Sequence, residues 1–114
     1  MECLNYINGQ WLPAQSGVTL ESRNPADWRL LVANFPRSDA SDVEAAVTVA
    51  RDAYRTWRLV PAPARAELIY QVGELLLQHK EELAQLMSQE MGKAIAEARG
   101  DVQEGIDCAF YYAG

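Results

Sequence analysis

The chain has 114 residues, of which 49% are hydrophobic and 23% charged, the composition of a soluble globular domain and room for one small core. Its net charge of −6 gives no pull toward phosphate backbones, which excludes nucleic acid as a partner. No apolar run approaches the ~20 residues of a membrane span, and Met1-Glu2-Cys3-Leu4-Asn5 lacks the basic start and apolar middle of a secretory leader, so a cytoplasmic location is the expectation.

A β-rich segment over residues 1–36 comes first. Leu4-Asn5-Tyr6-Ile7 and Gln10-Trp11-Leu12 flank Asn8-Gly9, the pair that a two-residue hairpin turn with φ > 0 at both positions favours. Val18-Thr19-Leu20-Glu21-Ser22 alternates as a half-buried strand does. Asn24-Pro25-Ala26-Asp27 reads as a turn, and Arg29 through Phe35 as a further strand closed by Pro36.

A helical segment over residues 37–114 follows. Ser41 with Glu44 spells a capping box, after which Val43, Ala46, Val47, Ala50, Tyr54 and Trp57 share one helical face. Pro61-Ala62-Pro63 breaks that helix and starts the next, whose stripe is Leu68, Ile69, Val72, Leu75 and Leu76. The periodicity slips at His79-Lys80, which predicts a kink or break. A third helix carries Leu83, Leu86, Met87 and Met91 and stops at Gly92. The fourth runs over about residues 94–112, with Ile95, Ala98, Val102, Ile106, Ala109 and Phe110 facing inward. Gly100 and Gly105 mark places where another element could pack closely. The fold class is therefore α+β: a hairpin and short strands, then about four amphipathic helices in a single incomplete domain. The last helix ends on Tyr111-Tyr112-Ala113-Gly114 with no polar tail, which reads as a truncation.

Candidate chemistry is sparse. Cys3 sits at an end expected to fray, with no histidine or helix N-terminus beside it to favour a thiolate. Cys108 falls mid-helix and reads as a packed residue rather than a nucleophile. His79 suits a helix end. No glycine-rich phosphate loop occurs. Gly92-Lys93 reads as a helix stop with a charge at the negative end of the dipole, and Trp11, Trp28 and Trp57 as core or interface anchors.

The order of motifs resembles the aldehyde dehydrogenase family. Tyr6-Ile7-Asn8-Gly9-Gln10-Trp11 is similar to its opening hairpin, and Asn24-Pro25-Ala26 to its next turn. The helices match through Asp42-Val43-Glu44, Pro63-Ala64-Arg65-Ala66, Glu90-Met91-Gly92-Lys93, Ala96-Glu97-Ala98 and the closing Tyr111-Tyr112-Ala113-Gly114. Asp27-Trp28-Arg29 departs from the Thr-Gly-Glu of many members, and Glu-Met-Gly-Lys is similar to the semialdehyde-oxidising branches. The resemblance implies the N-terminal part of the α/β fold of an NAD(P)-dependent oxidoreductase that turns an aldehyde into a carboxylate. It implies that the thiolate nucleophile, the base and the NAD or NADP site all lie in later parts of the subunit, with no catalytic or cofactor-binding residue in this chain and none of its own activity. Its implied partners are the rest of the subunit and, through it, a homo-oligomer. It also implies one ligand position for a monovalent cation, at Asp101 with the backbone carbonyl of Arg23. The plainer reading of Asp101 is an exposed aspartate on a helix, since hard cations want six or more oxygens. A reading of another class also stands: a free-standing module that binds a dehydrogenase subunit or pairs with itself. A sharp cooperative melt would mark the module, and dye binding or a broad melt the fragment.

Overall fold

In a computed structural model describing residues 1–114, Asn8 (φ 54°) and Gly9 (φ 74°) are both left-handed. β1 (Asn5–Ile7) therefore turns into β2 (Gln10–Leu12) in the expected hairpin, with Ile7 opposite Gln10. β3 (Thr19–Arg23) and β4 (Leu31–Pro36) form a second antiparallel pair, irregular at Ser22/Arg23. The N-terminus is not frayed as expected. The Cys3 N–H donates to the Asn34 carbonyl at 2.8 Å, and the Asn34 N–H to the Met1 carbonyl at 2.9 Å. Residues 1–3 thus run parallel beside β4, a pairing across some thirty residues that local patterning does not encode.

Four helices follow: α1 (Ala40–Trp57), α2 (Ala62–Gln78), α3 (Lys80–Met91) and α4 (Ile95–Ala113). The cap of α1 lies two residues before the expected Ser41. Asp39 is the N-cap, and Asp42 closes the box by accepting the Asp39 N–H at 3.0 Å. Aspartate caps as well as serine does, and only Asp42 also reaches the Gln15 N–H, at 3.0 Å. Asp42 is 5% exposed, while Glu44 stays in solvent. His79 (φ −100°, ψ 13°) ends α2 and begins α3, the expected break. Gly92 (φ 68°) ends α3 in the expected left-handed cap. No helix is long and apolar enough to cross a membrane.

The chain forms two compact units. The first, Met1–Arg23 with Leu30–Leu59, holds the strands and α1 and buries Ala14, Val32, Ala33 and Asp42. The second, Asn24–Arg29 with Val60–Gly114, packs α4 against α2 and α3. Its core is Ala84, Ala98, Val102 and Ile106, with Leu76, Leu83, Met87, Ile95 and Phe110 around them. The inner face expected for α4 is the one observed.

The stripes expected to bury α1 and α2 do not. On α1, Val43, Val47, Tyr54 and Trp57 are exposed, and the covered edge is Asp42, Ala45, Ala46 and Val49. At 100° per residue the two sets lie about 110° apart. On α2, Leu68, Ile69, Val72 and Leu75 are exposed; of the expected stripe only Leu76 packs on the core, and Gly73 is the buried position. Periodicity shows that a stripe is apolar, and not which neighbour covers it.

Candidate functional site

Of the reactive side chains, Cys3 is half-buried beside β4 and Cys108 is an exposed free thiol on α4. The expected packing role of Cys108 is therefore not observed: α4 turns Val102, Ile106 and Phe110 inward, and position 108 falls on its outer face. His79 is exposed, with Nδ1 3.0 Å from a Glu82 carboxylate oxygen.

The polar groups of the second unit tie helices together. A bidentate pair holds Arg99 of α4 to Glu81 of α3, at 2.9 Å from Nε and 2.7 Å from Nη2. The Arg99 guanidinium holds the Glu81 carboxyl below its ordinary range. Lys80 Nζ donates to Gln103 Oε1 at 2.6 Å, and Lys93 is ion-paired with Asp101. The cap of α3 closes on Ser88, whose hydroxyl donates to the Lys93 carbonyl at 2.7 Å. Asp101 is thus on α4 with its carboxylate on an ammonium group, and the lysine side chain that carries it is four-fifths buried. Arg23 ends β3 in the first unit, with its guanidinium on Glu21.

Two motifs of the resemblance meet in space. Gly92 lies against the Asn24-Pro25-Ala26 turn, where an added Cβ would come within 2.8 Å of Pro25 Cγ and 3.0 Å of the Ala26 nitrogen. The turn is held by Asn24 Oδ1, which accepts the Ala26 N–H at 2.8 Å. Asp27 then takes both the backbone and the guanidinium of Arg29, which closes the variant Asp27-Trp28-Arg29 segment. Arg29 holds the Asp27 carboxyl below its ordinary range.

Gly100 and Gly105, expected at close approaches, face open space. The close approach falls at Gly73, where a Cβ would meet the Phe110 ring at 2.9 Å. Gly73 interrupts no periodicity, so the sequence carries no signal for it. Apolar features of the surface include an open cleft of about 270 Å³ lined by Asn5, Tyr6, Ile7, Ser38, Asp42, Val43 and Ala46, the Tyr6–Trp11 ring pair at 4.8 Å, and the two exposed stripes. Such an arrangement can support another structure, and it assembles no acid, base and nucleophile together.

A model of the aldehyde dehydrogenase family matches residues 11–114. Malonate-semialdehyde dehydrogenase 1 of Geobacillus kaustophilus (strain HTA426) is 47% identical over 110 residues, covering 96% of this chain and 22% of that protein. The crystal structure of an NAD-dependent aldehyde dehydrogenase from Sinorhizobium meliloti matches with a TM-score of 0.96 at 34% identity, over 100% of this chain and 23% of that one. An NADP-dependent glyceraldehyde-3-phosphate dehydrogenase from Bacillus halodurans C-125, complexed with NADP, matches with a TM-score of 0.95 at 26% identity, over 99% and 24%. The chain spans about 22% of the length of the curated relatives it matches.

Proposed function

The chain belongs to the aldehyde dehydrogenase family, and we propose that it serves as the N-terminal part of an NAD(P)-dependent enzyme oxidising a semialdehyde to a carboxylate. The observation that carries the proposal is the match over nearly the whole of this chain to about a quarter of a dehydrogenase subunit. The fold is an N-terminal part of the dehydrogenase fold, with the expected hairpin, short strands and four helices. The semialdehyde preference rests on relatives such as the Geobacillus enzyme. In this reading the nicotinamide nucleotide accepts hydride when bound, and it binds in a later domain that residues 37–114 flank. The residues of this chain support that domain and do no chemistry themselves. The subunit assembles into a homo-oligomer and works in the cytoplasm, where the free thiols Cys3 and Cys108 stay reduced.

A cation role for Asp101 belongs to the same proposal. Its carboxylate supplies at most two oxygens, and the Lys93 ammonium already neutralises it, so a monovalent cation there competes with Lys93 and takes most of its ligands from elsewhere. Asp101→Asn in the whole subunit should then weaken any potassium or sodium dependence of the melting temperature; an unchanged dependence removes Asp101 from the ligand set.

The direct test is to express the reading frame that contains this chain beside the 114-residue chain alone. NADH or NADPH formation from malonate semialdehyde is expected from the longer product and not from the chain. Turnover by the chain alone refutes its supporting role. A frame that closes at Gly114, with a sharp cooperative melt, favours the interaction module.

A further inference from the structure

We infer that the outer stripe of α2 (Leu68, Ile69, Val72 and Leu75, with Arg65 at its N-terminal edge) seats a later segment of the same subunit that brings an oxygen acceptor to the Arg65 guanidinium. The inference rests on the family reading above and goes beyond it by naming the face, the donor and the chemistry of its occupant.

α2 has three faces. One meets α4: Gly73 lies under the Phe110 ring, and Tyr70 stacks on it at 5.1 Å. A second carries Glu67, Gln71, Glu74 and Gln78 at i, i+4, i+7 and i+11, the ordinary composition of a solvated face. The third is the stripe, about 130° from the α4 face at 100° per residue. It is apolar along three turns and yet lies open, with Val72 46% and Leu75 55% exposed. A helix that already has a polar face for water has no use for a second exposed face of aliphatic side chains.

Arg65 supplies the independent observation. Its Nε is the one side-chain polar atom sealed from solvent without a hydrogen-bond partner. A guanidinium stays charged in proteins, and a buried donor without an acceptor is destabilising. Turning its Nε–Nη edge toward an arriving carboxylate or backbone carbonyl removes that defect in the bidentate manner arginine favours. The occupant is therefore apolar with an oxygen acceptor at one end. A second copy of the same stripe does not fit, because Arg65 is the only polar side chain on it: a two-fold pairing would set each guanidinium on aliphatic side chains with no side-chain acceptor. The relatives carry more than three quarters of their length outside the matched part, which is ample chain to supply the segment.

The test uses the whole subunit in two variants that each add one cysteine and keep the native ones, Val72→Cys on the stripe and Glu74→Cys on the polar face, with maleimide labelling of the α2 peptide read by mass spectrometry. Both positions are open in this chain. In an active subunit the thiol placed on the stripe should label at least about tenfold more slowly than the thiol placed on the polar face, because labelling then waits on local opening. Adding Arg65→Gln should speed labelling of the stripe thiol several-fold and leave the polar-face thiol unchanged. Equal rates at the two positions in an active subunit overturn the docking face, while the family reading survives on the activity. Slow labelling of the stripe that ignores Arg65→Gln overturns the acceptor. A subunit without aldehyde oxidation fails the family reading instead, and the inference falls with it.

Discussion

At the scale of single residues, three positions separate backbone conformation from packing. Gly92 combines a left-handed φ with contact against Pro25 and Ala26. Gly92→Ala should cost about 2–3 kcal/mol, from the left-handed penalty together with the overpacking, measured by urea unfolding. Gly100 is helical with nothing near its missing Cβ. Gly100→Ala should therefore stabilise by about 1 kcal/mol, and a loss of stability would show a neighbour there. Asp42 serves two backbone N–H groups, of Gln15 and Asp39, from a buried position. Asp42→Ala should cost about 1–3 kcal/mol, since both donors are stranded. The glycine at 92 was legible as a helix stop because the left-handed cap is a local matter. Its contact with the proline turn was not, because it joins residues nearly seventy positions apart.

At the scale of elements, α3 and α4 are joined by side chains near their surfaces, and the acid behaviour of that junction follows from its pKa directions. The Glu81 carboxyl is lowered, first by the hydrogen bond from Arg99. Its contribution is thus fully present above the ordinary carboxylate value of 4.5 and is lost as pH falls through the lower folded value. Asp39 is lowered by Ser41 and has the same sign at the start of α1. Melting temperatures recorded from about pH 7 to about pH 3 should fall less steeply in Glu81→Gln than in the parent. The effect is small, because the pair is half exposed and water screens it; identical acid limbs would show that the pair contributes nothing. The displaced cap of α1 belongs to this scale too. Ser41 and Glu44 satisfy the local pattern, but Asp39 and Asp42 satisfy it as well and also hold the Gln15 loop.

At the scale of the whole molecule, the two apolar stripes dominate. Val43, Val47, Tyr54 and Trp57 on α1 and the outer face of α2 stand open, beside a core made largely of alanine and valine. A solution of the chain should bind a hydrophobic dye strongly, and under the proposed function that binding should drop on the full-length subunit as the stripes become covered. Equal dye binding per mole would mean that they stay exposed.

What the sequence determined by itself is what depends on neighbours a few residues away: the Asn8-Gly9 hairpin, the break at His79, the glycine stop at Gly92, and the extent and inner face of α4. The ordered motifs also carried the family, because each marks a turn or helix start of a shared fold. Tertiary structure alone decided which faces are used. It chose the Gly73 face of α2 over the more apolar stripe and the pairing of residues 1–3 with β4. Each depends on residues far apart in the chain meeting at a few ångströms, and a hydrophobic period is the same whether the covering partner is α4, water or a segment elsewhere in the subunit.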